Sequence, residues 1–331
     1  MTNDKSIDIY VVSYEHEKFV CRNVSLARQQ NPDIKINWYI GVTGHMESFL
    51  SIRDDPSVHI LSDIGFAKDN QHMRCMLHLL TNFGSSRYKL MLDPDFFLIQ
   101  DNWISRCIAE IEVGNFGCVG TQWHPSWRKQ RWGLAPHFLL YDTTRITISR
   151  KDVFPTRSFR AIYNVDSGVQ CALLKALELL LGYMQRLDQI ITGGRVMRLS
   201  DTCAGLSWRL YKANIGILRL AIHFDPESTN VPKEIQINRR RFASRLSNYL
   251  KRVVSQLFID SPYGPHYWTA EIDKALAKFP GYPELHYLDH EPFGVHARRY
   301  GRSELSISAS DLLELVGFIR ELSRSKKHFQ S

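Results

Sequence analysis

Tyr88-Lys89-Leu90-Met91-Leu92-Asp93-Pro94-Asp95-Phe96-Phe97-Leu98-Ile99 sets two carboxylates between two apolar runs. The first run reads as a short strand entering a sheet, and the second continues it. Free carboxylates are costly to bury, so two of them here call for a partner. In extended backbone, residues i and i+2 project to the same side, which lets Asp93 and Asp95 converge on one point. A hard divalent cation such as Mg²⁺ accepts one or two carboxylates together with the oxygens of a phosphate. Asp-Pro-Asp is also good turn chemistry, and that reading stands beside the metal one.

Working outward, Ile7 to Ser13 is β-branched and apolar, as a buried parallel strand should be. A polar loop, Tyr14-Glu15-His16-Glu17, leads to a helix from Phe19 to Gln30 that ends at Asn31-Pro32. Strands follow at Ile34–Val42 and Val58–Leu61. A helix over Ala67–Asn82 stops at Gly84. Strands alternating with helices argue for an α/β sandwich with a mainly parallel central sheet, a Rossmann-type arrangement. Ligands of such sheets bind outside the carboxyl ends of the strands, where both the Ser13 loop and Asp93-Pro94-Asp95 fall. Further on, Asp101–Val113 reads as a helix, Phe116–Thr121 and Pro136–Asp142 as strands, Val169–Met184 as an apolar helix, and Ile215–Ile222 as a last core strand.

Composition is that of an ordinary globular chain of 331 residues, 44% hydrophobic and 23% charged, with ample material for a core. The net charge of +8 favours anionic partners. The cysteines (Cys21, Cys75, Cys107, Cys118, Cys171, Cys203) are scattered without a C-x-x-C pair, as expected of buried thiols in a reducing compartment. Neither a signal segment nor a run of about 18 apolar residues is seen, so a cytoplasmic location is expected.

With those elements in order, the chain resembles glycosyltransferases of the GT-A fold, family 2-like, over roughly residues 7 to 225. Lys89 to Asp95 looks like their D-x-D metal segment, and Ser13-Tyr14-Glu15 like their nucleotide-side entry. Pro136-His137-Phe138 through Asp142 resembles the strand beneath the acceptor site. Asp166-Ser167-Gly168, opening a helix, is similar to the position of the catalytic base in inverting members. His223, after the last core strand, resembles the late histidine that completes the metal site. Two stretches depart from the pattern. Ile40-Gly41-Val42-Thr43-Gly44-His45 stands where paired aspartates hold the nucleoside, and Val165-Asp166-Ser167 replaces a Glu-Asp pair.

The resemblance implies a metal-dependent transfer of sugar from a nucleotide-diphosphate sugar to a glycan or lipid-linked glycan, as in polysaccharide biosynthesis. Mn²⁺ or Mg²⁺ would be held by Asp93, Asp95 and His223, with His290 and His296 competing for the histidine's place. Asp95 is expected directly on the metal. Ser13, Tyr14, Glu15, Arg74 and Asp93 form the nucleotide side. Asp166 is the expected base, giving inversion, and is equally an ideal N-cap; Asp142 is the fallback base. Trp123, Trp127 and Trp132, amphipathic rings in a polar loop, are expected with His137 on the acceptor side. The alternatives are a nucleotidyltransferase, which would be expected to carry a Gly-rich basic loop after the first strand, and a non-catalytic membrane-surface adaptor with a decayed glycosyltransferase domain.

Beyond Asn230 the composition shifts. Arg239, Arg240, Arg241, Arg245, Lys251 and Arg252 stand in a stretch without an acid, interleaved with apolar residues at helical spacing. Residues 239–258 therefore read as a basic amphipathic helix for an anionic membrane surface. The expected division is a catalytic domain over 1–229 and a basic, largely helical C-terminal extension over 230–331, with the protein peripheral on the inner face of the membrane. Nucleic acid is not expected, since no zinc-finger or RNP-type motif occurs.

Overall fold

The computed structural model describes residues 6–14, 16–43, 49–62, 71–122, 134–149, 152, 203, 206, 209–210, 213–222, 258–260, 269–279, 283–297, 299–300, 304–305 and 308–328. The chain runs β1 (Ser6–Ser13), α1 (Glu17–Gln30), β2 (Lys35–Val42), β3 (Val58–Leu61), α2 (Gln71–Asn82), β4 (Tyr88–Leu92), β5 (Phe96–Leu98), α3 (Trp103–Val113), β6 (Phe116–Gln122) and β7 (Leu134–Asp142). After these come β8 (Gly216–Arg219), β9 (Ala221–Ile222), β10 (Phe258–Asp260), α4 (Thr269–Leu276), β11 (Glu284–Leu288), β12 (Glu291–His296), β13 (Arg299–Tyr300), β14 (Glu304–Leu305) and α5 (Ala309–His328).

The main sheet has the order β10-β8-β6-β7-β4-β1-β2-β3. Among its described strands, β7 alone runs antiparallel to its neighbours, β4 and β6. The sandwich follows from period-two alternation in strands apolar on both faces. Ile7, Ile9 and Val11 of β1, Leu90 and Leu92 of β4, and Phe138 and Leu140 of β7 bury into one core with α1 and α3. Tyr10 and Val12, Met91, and Leu139 and Tyr141 point the other way, into a core with α2. The α/β sandwich with a mainly parallel sheet is thus the architecture present.

Gly84, between α2 and β4, is required by geometry. Its φ is +77°, and a Cβ there would lie 2.3 Å from Asp8 Oδ2. Asp8 in turn accepts from Ser86 N and from Asn37, which ties the entry of β4 to β1 and β2.

A second sheet, β5-β12-β11-β9, lies below the first. The strand expected over Ile215–Ile222 changes sheets: β8 pairs with β6, and β9, two residues on, pairs with β11. On the inner face of the second sheet, Phe96, Leu98, Leu288 and Phe293 join the core above. On its outer face, Phe97, Leu285, Tyr287 and Val295 pack with Leu312, Leu315, Val316 and Ile319 of α5.

The division expected at residue 229 is therefore not a division of the fold. β10 completes the main sheet against β8, and β12 pairs with β5, the strand that directly follows Asp95. Arg320 and Arg324 of α5 also donate to Asp101, just ahead of α3. The described residues beyond 230 are helical in α4 and α5 and also contribute the strands β10 to β14. The apolar strands shared between the two parts outweigh the compositional shift. Of the stretch 239–258, only Phe258 is described, as the first residue of β10. Among the described residues, no helix is long and apolar enough to cross a membrane.

Candidate metal centre

Asp93-Pro94-Asp95 is a turn between β4 and β5, closed by Phe96 N donating to Asp93 O at 3.1 Å. This corrects the expectation of continuous extended backbone: proline removes a donor from the ladder, and the chain leaves one sheet for the other. The turn is clamped from three sides. Asp93 N donates to His137 O at 2.9 Å, and Ala297 N to Asp95 O at 3.0 Å. The buried Asn23 side chain of α1 donates to Pro94 O at 2.8 Å. Gln30, also on the buried face of α1, donates to Leu98 O at 2.8 Å. Unpaired backbone carbonyls would be costly at this depth, so these two amides explain themselves.

The rigid turn brings acids and imidazoles together. His137 Nδ1 lies 2.8 Å from Asp93 Oδ2, and His72 Nε2 of α2 lies 3.8 Å from Asp93 Oδ1. His296 Nε2, at the end of β12, lies 3.6 Å from Asp95 Oδ1. The rings of His137 and His296 stack with centroids 3.9 Å apart. One donor atom from each of Asp93, His137 and His296 lies within 4.8 Å of the others. Asp95, expected directly on the metal, is not one of those three, although it faces His296.

Local sequence explains how His137 reaches the site. Pro136 interrupts the β6–β7 ladder, whose register shifts between Gly120 and Gln122. Thr121 Oγ1 binds the backbone around the irregularity, donating to Ala135 O and accepting from Phe138 N. His296 is carried by β12, whose register sets it opposite Phe96. Phe96 packs on Phe138 at 5.7 Å, and Phe138 on Phe293 at 5.1 Å, which locks the second sheet under the first.

Burial works against charge on both sides of the cluster and loses to it. Burial alone would raise the Asp93 carboxyl, but the hydrogen bond from His137 and the charges of His137, His72 and His296 hold it well below the usual carboxylate range. Burial alone would likewise lower His296, yet Asp95 and Glu284 push it up to about 10. His286, beside Glu284 but lacking such close partners, is pushed down by burial to about 4.

The residues fit a divalent cation. Two donors each about 2.1 Å from one ion lie at most about 4.2 Å apart. The Asp93–His137, Asp93–His72 and Asp95–His296 separations are all shorter than that, whereas Asp93, His137 and His296 as a group, within 4.8 Å of one another, would draw together slightly on binding. Carboxylate oxygen with imidazole nitrogen suits Mn²⁺ and later first-row ions better than Mg²⁺, which prefers oxygen.

The other expected site residues divide as follows. Ser13, at the end of β1, reaches the level of the turn, since Tyr10 pairs with Met91; its hydroxyl is buried without a hydrogen bond. Tyr14 beside it is exposed. Arg74 is exposed on the first turns of α2, near His72. His137, expected on the acceptor side, is instead bonded to Asp93. His290 lies in the β11–β12 turn, at the opposite end of β12 from His296, which removes it from the centre. Asp142 is also removed. It pairs with Tyr88 at the far end of β4 and accepts from Arg87 at 2.7 Å and from Thr144. Glu15, Trp123, Trp127, Trp132, Asp166 and His223 lie outside the described residues.

His72 and Glu284 were not anticipated. For Glu284 a signal existed: Glu284-Leu285-His286 alternates polar and apolar within an otherwise buried strand. His72 gave none, since one histidine at the start of an amphipathic helix is unremarkable in a sequence.

No protein-family model matches the chain, and no curated protein does. Several solved structures share part of the fold. TarS 1-349 of S. aureus is 11% identical with a TM-score of 0.34, over 42% of this chain and 47% of its own. The mannosyltransferase PcManGT from Pyrobaculum calidifontis, in complex with GDP-Man and Mn²⁺, is 11% identical with a TM-score of 0.34, over 47% of this chain and 50% of its own. The galactosyltransferase LgtC, with donor and acceptor sugar analogs, is 13% identical with a TM-score of 0.32, over 42% and 58%. The chain thus spans about half the length of the structures it matches. Likeness at these scores carries no argument about activity.

Proposed function

We propose that the protein is a metal-dependent glycosyltransferase that takes a sugar from a nucleotide-diphosphate donor and passes it to a glycan or lipid-linked glycan. One observation carries this reading. Asp93, Asp95, His137 and His296 converge at the carboxyl edge of a mainly parallel sheet, beside the end of β1, where such folds bind their ligands. GDP-Man and UDP-GlcNAc, held by PcManGT and TarS, belong to the donor class proposed.

Asp93, His137 and His296 would hold Mn²⁺, with Asp95 joining them from the same turn. When bound, the ion supplies positive charge to the diphosphate as it leaves. The clamps from Asn23, His137 and Ala297 keep the turn from reorganising during the reaction, so its donors are set beforehand. Ser13 and Tyr14 border the nucleotide, with Glu15 and Arg74 on the same side. Trp123, Trp127 and Trp132 receive the acceptor. Asp166 takes the acceptor hydroxyl's proton, which makes the reaction inverting. Residues 239–258 rest on an anionic membrane surface, where a lipid-linked acceptor would be met.

The test is thermal melting with UDP, GDP, CMP and dTDP, each with and without Mn²⁺, followed by donor hydrolysis with and without EDTA. A ligand at 100 times its Kd stabilises by about 2.7 kcal/mol, an easily measured shift. One nucleotide should raise Tm only in the presence of Mn²⁺. Melting unmoved by every nucleotide, with or without metal, would remove the donor and the reading with it.

A further inference from the structure

We propose that Glu284 is a positioning residue of the metal centre: it accepts the Nδ1 proton of His296 and so presents Nε2 to the ion. The inference rests on the metal reading above and extends it to a residue outside the donor group.

Glu284 and His296 are direct cross-strand partners in the β11–β12 ladder. The Glu284 carboxylate lies 3.2 Å from His296 Nδ1, and both residues are buried. On the opposite edge of the same ring, Nε2 faces Asp95 Oδ1 at 3.6 Å. The two nitrogens are thus assigned different work by their surroundings. An imidazole that donates from one nitrogen is a better donor of its lone pair from the other, and its ring can no longer flip.

The backbone leaves this orientation little freedom. Leu285 and Val295, on either side of the pair, bury on the outer face of the sheet with α5, so Glu284 and His296 must face inward. Phe96 lies across from His296, its ring over Gly294; a Cβ on Gly294 would meet that ring at 2.4 Å. His286 Nε2 is 3.8 Å from the same Glu284 oxygen, beyond hydrogen-bond reach. His296 is therefore the nearer imidazole to that carboxylate.

The experiment is calorimetric titration of MnCl₂ into the full chain without nucleotide, for wild type, Glu284→Gln, Glu284→Ala, His296→Ala and the double variant Glu284→Ala/His296→Ala. Electron spin-echo modulation of bound Mn²⁺ reports imidazole nitrogen on the ion. Loss of an outer partner of a metal-bound histidine costs 10–100-fold in affinity. We expect such a loss for Glu284→Ala, with weakened imidazole modulation, and a smaller loss for Glu284→Gln, whose amide oxygen still accepts. In the His296→Ala background, removing Glu284 should change nothing further. Unchanged Kd and modulation in both Glu284 variants, while His296→Ala binds weakly, would overturn the proposal and leave the metal site standing. An equal loss from Glu284→Ala with and without His296 would also overturn it, because Glu284 would then act independently. Should Glu284→Ala melt early, the near-isosteric Glu284→Gln decides the matter by the same readouts. Folded wild type that binds no Mn²⁺ would instead overturn the metal reading itself.

Discussion

His137 and His296 lie face to face, ring centroids 3.9 Å apart, though one belongs to the main sheet and the other to the second. Two imidazolium rings at that distance would repel, and the acids around them, Asp93, Asp95 and Glu284, are what make the pairing tolerable. On the proposed reading, a divalent cation would be held by both rings through imidazole nitrogen, alongside these acids. The contact also joins the Asp-Pro-Asp turn, β7 and β12 into one unit.

Asp93→Ala and Asp95→Ala should each lower metal-dependent donor turnover by at least about 100-fold, as loss of a principal electrostatic group does elsewhere. Each change removes the partner of a buried imidazole and should therefore lower the melting temperature without metal, so turnover is compared per folded molecule, the turn itself still being held by backbone and Asn23 contacts. Turnover and chelator sensitivity measured side by side check this. Near-normal, EDTA-sensitive turnover in Asp95→Ala would place Asp95 outside the centre.

Asp166→Asn separates a base from a helix cap. Asparagine still caps, so stability should fall by well under about 1 kcal/mol, whereas an amide cannot take the acceptor's proton. Transfer per folded molecule should collapse. A variant that melts early yet keeps its rate would leave Asp166 as a cap.

Asp142→Asn should affect stability rather than chemistry. Burial works against charge on Asp142, but the bonds from Arg87 and Thr144 prevail and hold its carboxyl below the usual range. A depressed carboxyl contributes stability above its unfolded pKa and loses it as pH falls through the folded one. The variant should thus be less stable at pH 7 by about 1.5–3 kcal/mol, with the gap closing below about pH 4. Chemical denaturation at pH 7 and pH 3 checks the sign. A gap that widens in acid would refute the assignment.

Arg239, Arg240 and Arg241 changed together to Ser should weaken binding to anionic vesicles. Each surface cation contributes on the order of 1 kcal/mol there and is screened within a Debye length. Co-sedimentation with anionic and neutral vesicles should show wild type only with the former, and the triple variant with neither. Equal partitioning to both vesicle types would leave residues 239–258 without a membrane role.

Much of this protein was legible in its sequence because the relevant signals are local. Ile7 to Ser13 and Tyr88 to Leu92 carry apolar residues on both faces, as a strand covered on both sides requires. Helical spacing gave α1 and α3 to within two residues, and the isolated acids in an apolar run marked Asp93 and Asp95. The tertiary structure decided everything that depends on which strands become neighbours. Nothing near His296 distinguished it from His290, because register within β12, not composition, sends one to the acids and the other to a turn. His137 moved from the acceptor side to the acids through a ladder irregularity at Pro136. Asp142 lies away from the centre because β7 runs antiparallel, which puts its carboxyl end beside Tyr88 at the start of β4, on the edge opposite the Asp93 turn. The boundary at 229 dissolved for the same physical reason: β5 needed a partner for its backbone hydrogen bonds, and β12, some two hundred residues further along, supplied it.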